Sequence, residues 1–174
     1  MFDPTIYENL KVVIEGEIYD RDLGGKIAII DRQDCVNLAT MSRYYSITFQ
    51  TLDSSPLYNA TLRLEADSSD LYGEILEKED EHGCNLILLI KGPLKDITNN
   101  PAIIQQKLEQ LWEDRPTIEQ QISFDWSKDN KKKYYLKTRL YFDRKINEDQ
   151  ISDFPQIIDL LLKSLHTVED VNGE

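Results

Sequence analysis

This chain has little of what membrane, secreted and nucleic-acid-coating proteins need. Its longest uninterrupted apolar run, Leu86–Ile90, has five residues, against the roughly 20 that cross a bilayer as a helix. Cysteines number only two, Cys35 and Cys84, too few for a disulfide framework. The opening residues, Met-Phe-Asp-Pro, lack a basic segment followed by an apolar one. A secretory signal is therefore not expected, and the cytoplasm is the expected compartment. Basic charge is scarce: 20 Lys and Arg face 32 Asp and Glu, a formal net charge of −12. Affinity for nucleic acid or for an anionic membrane, which rests on clustered cations, is not expected from that balance. Also missing are a Gly-x-Ser-x-Gly elbow, a phosphate-binding loop and a dinucleotide fingerprint, so no cofactor is expected.

What is present suffices for a packed core. Hydrophobic residues make up 40% of the 174 and charged residues 30%, the profile of a chain that folds with a solvated surface. Val12, Val13, Ile14 and Ile18, with Gly16 among them, predict a strand over 10–19. Asp20-Arg21-Asp22-Leu23-Gly24-Gly25 is turn chemistry and predicts a hairpin to a strand over 27–30. Residues 31–42 stay open between strand and a short helix. Tyr45, Ile47 and Phe49 alternate with polar residues, as do Ala60, Leu62, Leu64 and Ala66, and both predict half-buried strands. A loop is expected at Ser54, Ser55 and Pro56. Leu71–Lys78 and Cys84–Lys91 read as a hairpin with an acidic tip at 79–81, against a competing helix over 69–79.

The later part is more regular. Asn100-Pro101 predicts a helix with Asn100 as N-cap and Pro101 at its first position. Ile104, Leu108 and Leu111 supply its stripe, and Pro116 its stop. Ile118, Ile122, Phe124 and Trp126 share one face of a strand; Tyr134, Leu136, Leu140 and Phe142 share one face of its partner. Both faces are expected in the core. Asn147 with Gln150 predicts a capping box ahead of a last helix striped by Ile151, Phe154, Ile157, Ile158, Leu161 and Leu165. Pro155 requires either a kink near Ser152 or a helix that starts near Asp153. The tail after Val168 is expected to fray.

The expected fold class is therefore α+β: a mostly antiparallel sheet of about seven to eight strands with two amphipathic helices near 101–114 and 148–167. Residues 1–174 are expected to form a single domain, divisible into a β-rich part, 1–98, and a helix-hairpin-helix part, 99–174.

Four patterns could carry chemistry. The stretch 20–31 resembles a calcium loop in part, with Asp20, Asp22 and Asp31 at ligand positions and Gly25 at the sharp turn. Gly24 stands where an oxygen ligand belongs, and the flanks read as strands, so a plain turn is preferred. His82 and Cys84 lack a second close ligand pair for zinc, and Cys35 has only Arg32 nearby to lower its pKa. Acidic pairs such as Glu15 with Glu17, or Asp31 with Asp34, are too common here to mark a catalytic dyad.

The fourth pattern is the basic run 131–145, with seven Lys and Arg against Asp143. Tyr135, Lys137, Arg139 and Tyr141 fall on its outward face, an aromatic–cation mix that single-strand binders also use. From Glu148 onward seven acids oppose Lys163, so this acidic helix is expected to compensate the basic strand, together with Glu119 and Asp125. The expected function is a non-enzymatic, protein-binding or accessory role. Its partner would be another protein, of basic character given the overall charge, and a homodimer formed at edges near 45–49 or 134–142 is a further option. The alternatives are a small carboxylate- or metal-dependent enzyme with acids near 15–34, and a single-stranded nucleic-acid module.

Overall fold

The computed structural model describes residues 5–52, 57–78 and 81–173. The first element is α1, Ile6–Leu23, where a strand is expected over 10–19. Its buried residues, Tyr7, Leu10, Ile14 and Ile18, recur every three or four positions along one face. Burying each side chain contributes about 1.5–3 kcal/mol, far more than the tenths by which β-branched residues disfavour a helix. Thr5 caps the start by accepting the Glu8 amide hydrogen. The Asp/Gly turn is present, but it ends this helix and does not close a hairpin. Gly24 caps it, and Gly25 takes φ +69° to redirect the chain into a strand.

That strand is β1 (Ala28–Val36), which absorbs the open stretch as far as Val36. Strands β2 (Arg43–Gln50) and β3 (Asn59–Ala66) follow as expected. The loop at 54–56 and the tip residues 79 and 80 lie outside the described residues. Next comes α2, Ser68–Ile75, where the competing helix wins over the first arm of a hairpin. Leu71 turns to the core, and the Glu74 carboxylate accepts the Ile6 amide hydrogen at the start of α1. The remaining elements are β4 (Asn85–Leu94), α3 (Asn100–Trp112), β5 (Thr117–Phe124), β6 (Tyr134–Tyr141), a 3-10 turn (Glu148–Asp153) and α4 (Phe154–Gly173).

The class is α+β. The sheet has six strands among the described residues, not seven or eight, because two of the expected ones are helices. Its order is β1-β2-β3-β4-β6-β5, antiparallel throughout. The edges are therefore β1 and β5; the strands at 45–49 and 134–142 are interior. Helices α1, α3 and α4 pack on one face, over Tyr45, Ile47, Phe49, Leu62, Leu64, Leu88 and Leu140.

Several expectations at the helix ends change. Asn100 lies inside α3 and Asn99 is its N-cap. The Asn100 side-chain amide donates instead to the Asn172 side-chain oxygen at 3.0 Å, and Asn172 donates to the Val168 carbonyl. The tail does not fray: α4 runs to Gly173, with Val171 and Asn172 buried. The capping box of Asn147 and Gln150 is present, and Pro155 sits in the first turn of α4, where its missing N–H costs nothing.

The β5–β6 register matches the predicted shared face, pairing Ile118 with Leu140, Ile122 with Leu136 and Phe124 with Tyr134. Only part of that face is core. Around Gln120, which donates to the Pro101 carbonyl and the Gln105 side chain, α3 still covers it. Beyond, Ile122, Phe124 and Trp126 are exposed, Trp126 at 78%.

Candidate functional site: the uncovered face of the sheet

All three long helices lie on one side, so no described helix covers the other. Its residues can be read off the strand register in rows. One row runs Thr117, Tyr141, Ile87, Arg63, Ser46, Gln33 from β5 to β1; the next runs Glu119, Arg139, Leu89, Thr61, Thr48, Asp31. A third holds Gln121, Lys137, Lys91 and Asn59, and a fourth Ser123, Tyr135 and Pro93. This face is polar but has an apolar centre: Ile87 is 8% exposed although no helix lies over it.

Tyr135, Lys137, Arg139 and Tyr141 stand together here, at alternate positions of β6. Two of them are already engaged. The Arg139 guanidinium lies 4.4 Å from the Tyr141 ring centre and 3.4 Å from the Glu119 carboxylate, which also accepts the Tyr141 hydroxyl at 2.9 Å. Tyr135 is 40% exposed, and Lys137 enters no ion pair among the described residues. A depression of about 410 Å³ opens beside them, lined by Asn59, Lys91, Pro93, Gln121, Ser123, Tyr135 and Lys137 among others. Glu119 compensates the basic strand as expected; Asp125 makes no ion pair among the described residues.

The acidic last helix does not compensate it. Helix α4 lies on the opposite face, where Asp159 binds Arg21 of α1 at 2.8 Å and Glu169 faces His166. Glu148, ahead of α4, accepts from Asn9. The charge runs are neighbours in sequence and separated by the thickness of the sheet. Lys145 turns away to the buried Asp70, 2.6 Å distant.

The acids near 15–34 are dispersed onto cations. Glu15 binds Arg32 at 2.7 Å and Glu17 binds Arg21 at 2.8 Å. Asp34 accepts from Lys11, Arg43 and the Tyr7 hydroxyl, and Glu8 joins the same network through Lys11 and Arg43. Burial pushes the Asp34 and Glu8 carboxyls up, but the adjoining ammonium and guanidinium outweigh it and hold both below the usual range. Burial also drives the Tyr7 phenol well upward, with the Asp34 charge beside it. This network joins α1 to β1 and β2. Asp20 and Asp22 lie in the last turns of α1 and Asp31 in β1, so the calcium-loop residues straddle a helix end and a strand. Among the described residues, no group of three or more His, Cys, Asp or Glu could hold a metal ion.

Cys84 is 1% exposed, and its thiol is pushed up to about 12 by burial, then by the charges of Asp70 and Glu74. It is an inert core thiol. His82 sits 4.0 Å from Asp70 and packs on Gly73, where a Cβ would come within 2.4 Å of the ring. A second cleft of about 310 Å³ opens between the end of α3 and the start of α4, floored by Trp112, Phe142 and Phe154. Arg115, Arg144 and Asp153 also line it.

Comparison with protein-family models, curated proteins and solved structures finds no match. Lys91 was not marked by sequence reasoning, which ends a strand there and stops. Its place beside Lys137 depends on the β4–β6 register, and no local pattern encodes a pairing across 46 positions.

Proposed function

We propose that this chain is a non-enzymatic binding protein of the cytoplasm that holds another protein on the uncovered face of its sheet. One observation carries the reading: a six-stranded sheet has its three long helices on one side, and its other side bears a half-exposed aromatic and cationic cluster around Tyr135, Lys137 and Arg139. Flat, mixed surfaces of this kind, with Tyr and Arg over an apolar centre, suit protein recognition more than turnover of a small molecule. The enzyme alternative has less support, since Glu15, Glu17 and Asp34 are each held in an ion pair. A homodimer through sheet pairing would have to use β1 or β5.

The test is affinity capture of the tagged chain with its partners, comparing wild type with Lys137→Glu/Arg139→Glu. A partner retained by the wild type and lost by the variant is the expected result. If every partner stays bound to a variant that folds normally by circular dichroism, the binding face lies elsewhere.

A further inference from the structure

Lys91 of β4 and Lys137 of β6 are directly opposed in the strand register, on the uncovered face. Both are exposed, and neither enters an ion pair among the described residues. Like charges facing each other across a strand pair destabilise a sheet. Three features make this pair more than a chance of the surface. The acids of α4 that sequence proximity offers it are on the far side of the sheet, and Glu119 on this face is held by Arg139 and Tyr141. The pair lines a depression of about 410 Å³ whose other polar walls include Asn59, Gln121 and Ser123, all able to donate hydrogen bonds. Finally, the same end of the sheet carries further cations: β6 begins directly after Lys131-Lys132-Lys133, and Lys95 follows the end of β4. Of these, Lys132 lies over the Phe124 ring at 4.9 Å, on the other side of the sheet, while Lys95, Lys131 and Lys133 enter no ion pair among the described residues.

We infer that this trough receives the carboxylates of an extended acidic segment of the partner protein. The inference rests on the reading of the uncovered face as a protein-binding surface, and it reverses the expectation of a basic partner at this spot: the overall charge is −12, but the docking ground is locally positive. Lys133, just ahead of β6, and Lys137 within it are four residues apart, a span of roughly 13 Å where the chain is extended. An extended partner segment would match that span with acids about four residues apart, its intervening side chains resting on Tyr135.

A single-stranded nucleic acid fits less well. Base stacking needs a series of free aromatic faces. Here Tyr141 is engaged by Arg139 and Glu119, while Phe124 points to the helix-covered face. Arg63 lies over the Tyr44 ring at 3.7 Å, so among the described residues of this face Tyr135 is the free aromatic. A polyanionic backbone would also meet the acidic remainder of the surface, whereas a few carboxylates confined to the trough would not.

The experiment is fluorescence anisotropy with a labelled decapeptide in which Glu recurs every fourth residue of a Ser/Thr background. Controls are the same peptide with Lys for Glu, the Ser/Thr peptide alone, and a labelled deoxythymidine decamer. The acidic peptide should bind the wild type, more weakly as salt is raised, and at least tenfold more weakly the variant Lys91→Gln/Lys137→Gln. The single variant Lys137→Gln should melt at a higher temperature than the wild type, because the opposed charges are relieved. That readout also reports folding. No binding of the acidic peptide, or equal binding by the double variant, overturns the inference. Preference for the Lys or Ser/Thr peptide, abolished by Tyr135→Ala, overturns it while leaving the protein-binding face standing. Tighter binding of the thymidine decamer, lost in the double variant, overturns both in favour of nucleic acid.

Discussion

The indole N–H of Trp112 donates to the Ser164 hydroxyl across 2.8 Å, deep between α3 and α4. Ser164 in turn donates to the Leu160 carbonyl, and the Trp112 ring meets Phe142 edge-on with centroids 6.3 Å apart. A polar link at the bottom of an apolar contact is costly to break from one side only. Trp112→Phe should destabilise the protein by about 1–3 kcal/mol, combining lost volume with a lost hydrogen bond. Ser164→Ala should cost a similar amount by stranding the indole N–H. Urea denaturation of the double variant should give less than the sum of the two; full additivity would mean the bond contributes nothing.

The pair Asn100–Asn172 makes the end of α4 part of the fold. Asn172 is 1% exposed, so Asn172→Ala leaves the Asn100 amide without that partner and should cost about 1–2 kcal/mol. Hydrogen exchange offers a second check. The amides of 168–172 should be protected in the wild type and exchange faster in the variant, whereas a frayed tail would exchange quickly in both.

The network of Asp34 and Glu8 with Lys11 and Arg43 predicts a pH dependence. Both carboxyls sit below their unfolded values. Their contribution is therefore complete above about pH 4, the unfolded carboxylate range, and is lost as pH falls through the lowered native values. Asp34→Asn should be less stable than wild type by about 1–2 kcal/mol at pH 7, allowing for partial exposure of the group. That gap should narrow progressively below about pH 4. A gap that stays constant down to pH 2 would show that the charge of Asp34 is not what stabilises this corner.

Gly92 is held to glycine by Tyr58. A Cβ at 92 would stand 1.9 Å from the tyrosine ring, which is buried across the strand and anchored by its hydroxyl to the Pro93 carbonyl at 2.6 Å. Gly92→Ala should cost about 1–3 kcal/mol, the usual range for overpacking. In a Tyr58→Ala background the same change should cost much less. Equal cost in both backgrounds would place the constraint in the backbone.

Lys145→Met should also destabilise, by about 1–3 kcal/mol, because among the described residues it leaves the buried Asp70 carboxylate with the Gly83 amide at 3.3 Å and His82 at 4.0 Å. Asp70→Asn in the same chain should recover part of the loss. No recovery in thermal melts would show that the stranded Asp70 charge is not the source of the loss.

How much of this could be read in advance varied with the length of the local pattern. The strands at 43–50, 59–66 and 134–141 each alternate cleanly over eight residues. The capping box before α4 is a four-residue signal and was legible for the same reason. Helix α1 was not, because Val12, Val13 and Ile14 suggest a strand while the deciding residues, Tyr7, Leu10, Ile14 and Ile18, are spread over twelve positions. At α3 the Asn-Pro start was right in kind and one residue off, since Asn100 serves Asn172, a partner 72 positions away.

The candidate site divides in the same way. Alternation by itself determined that Tyr135, Lys137, Arg139 and Tyr141 share a face, because a strand's side chains point to opposite sides in turn. It likewise determined which side of the β5–β6 pair faces the core. Only the tertiary structure decided what that face lies beside. Sheet order places β4 next to β6 and so sets Lys91 against Lys137, while the helices' choice of one side removes the acids of α4 from the basic strand. Register and layering are long-range properties, set by the packing of the whole apolar core, and no local spacing carries them.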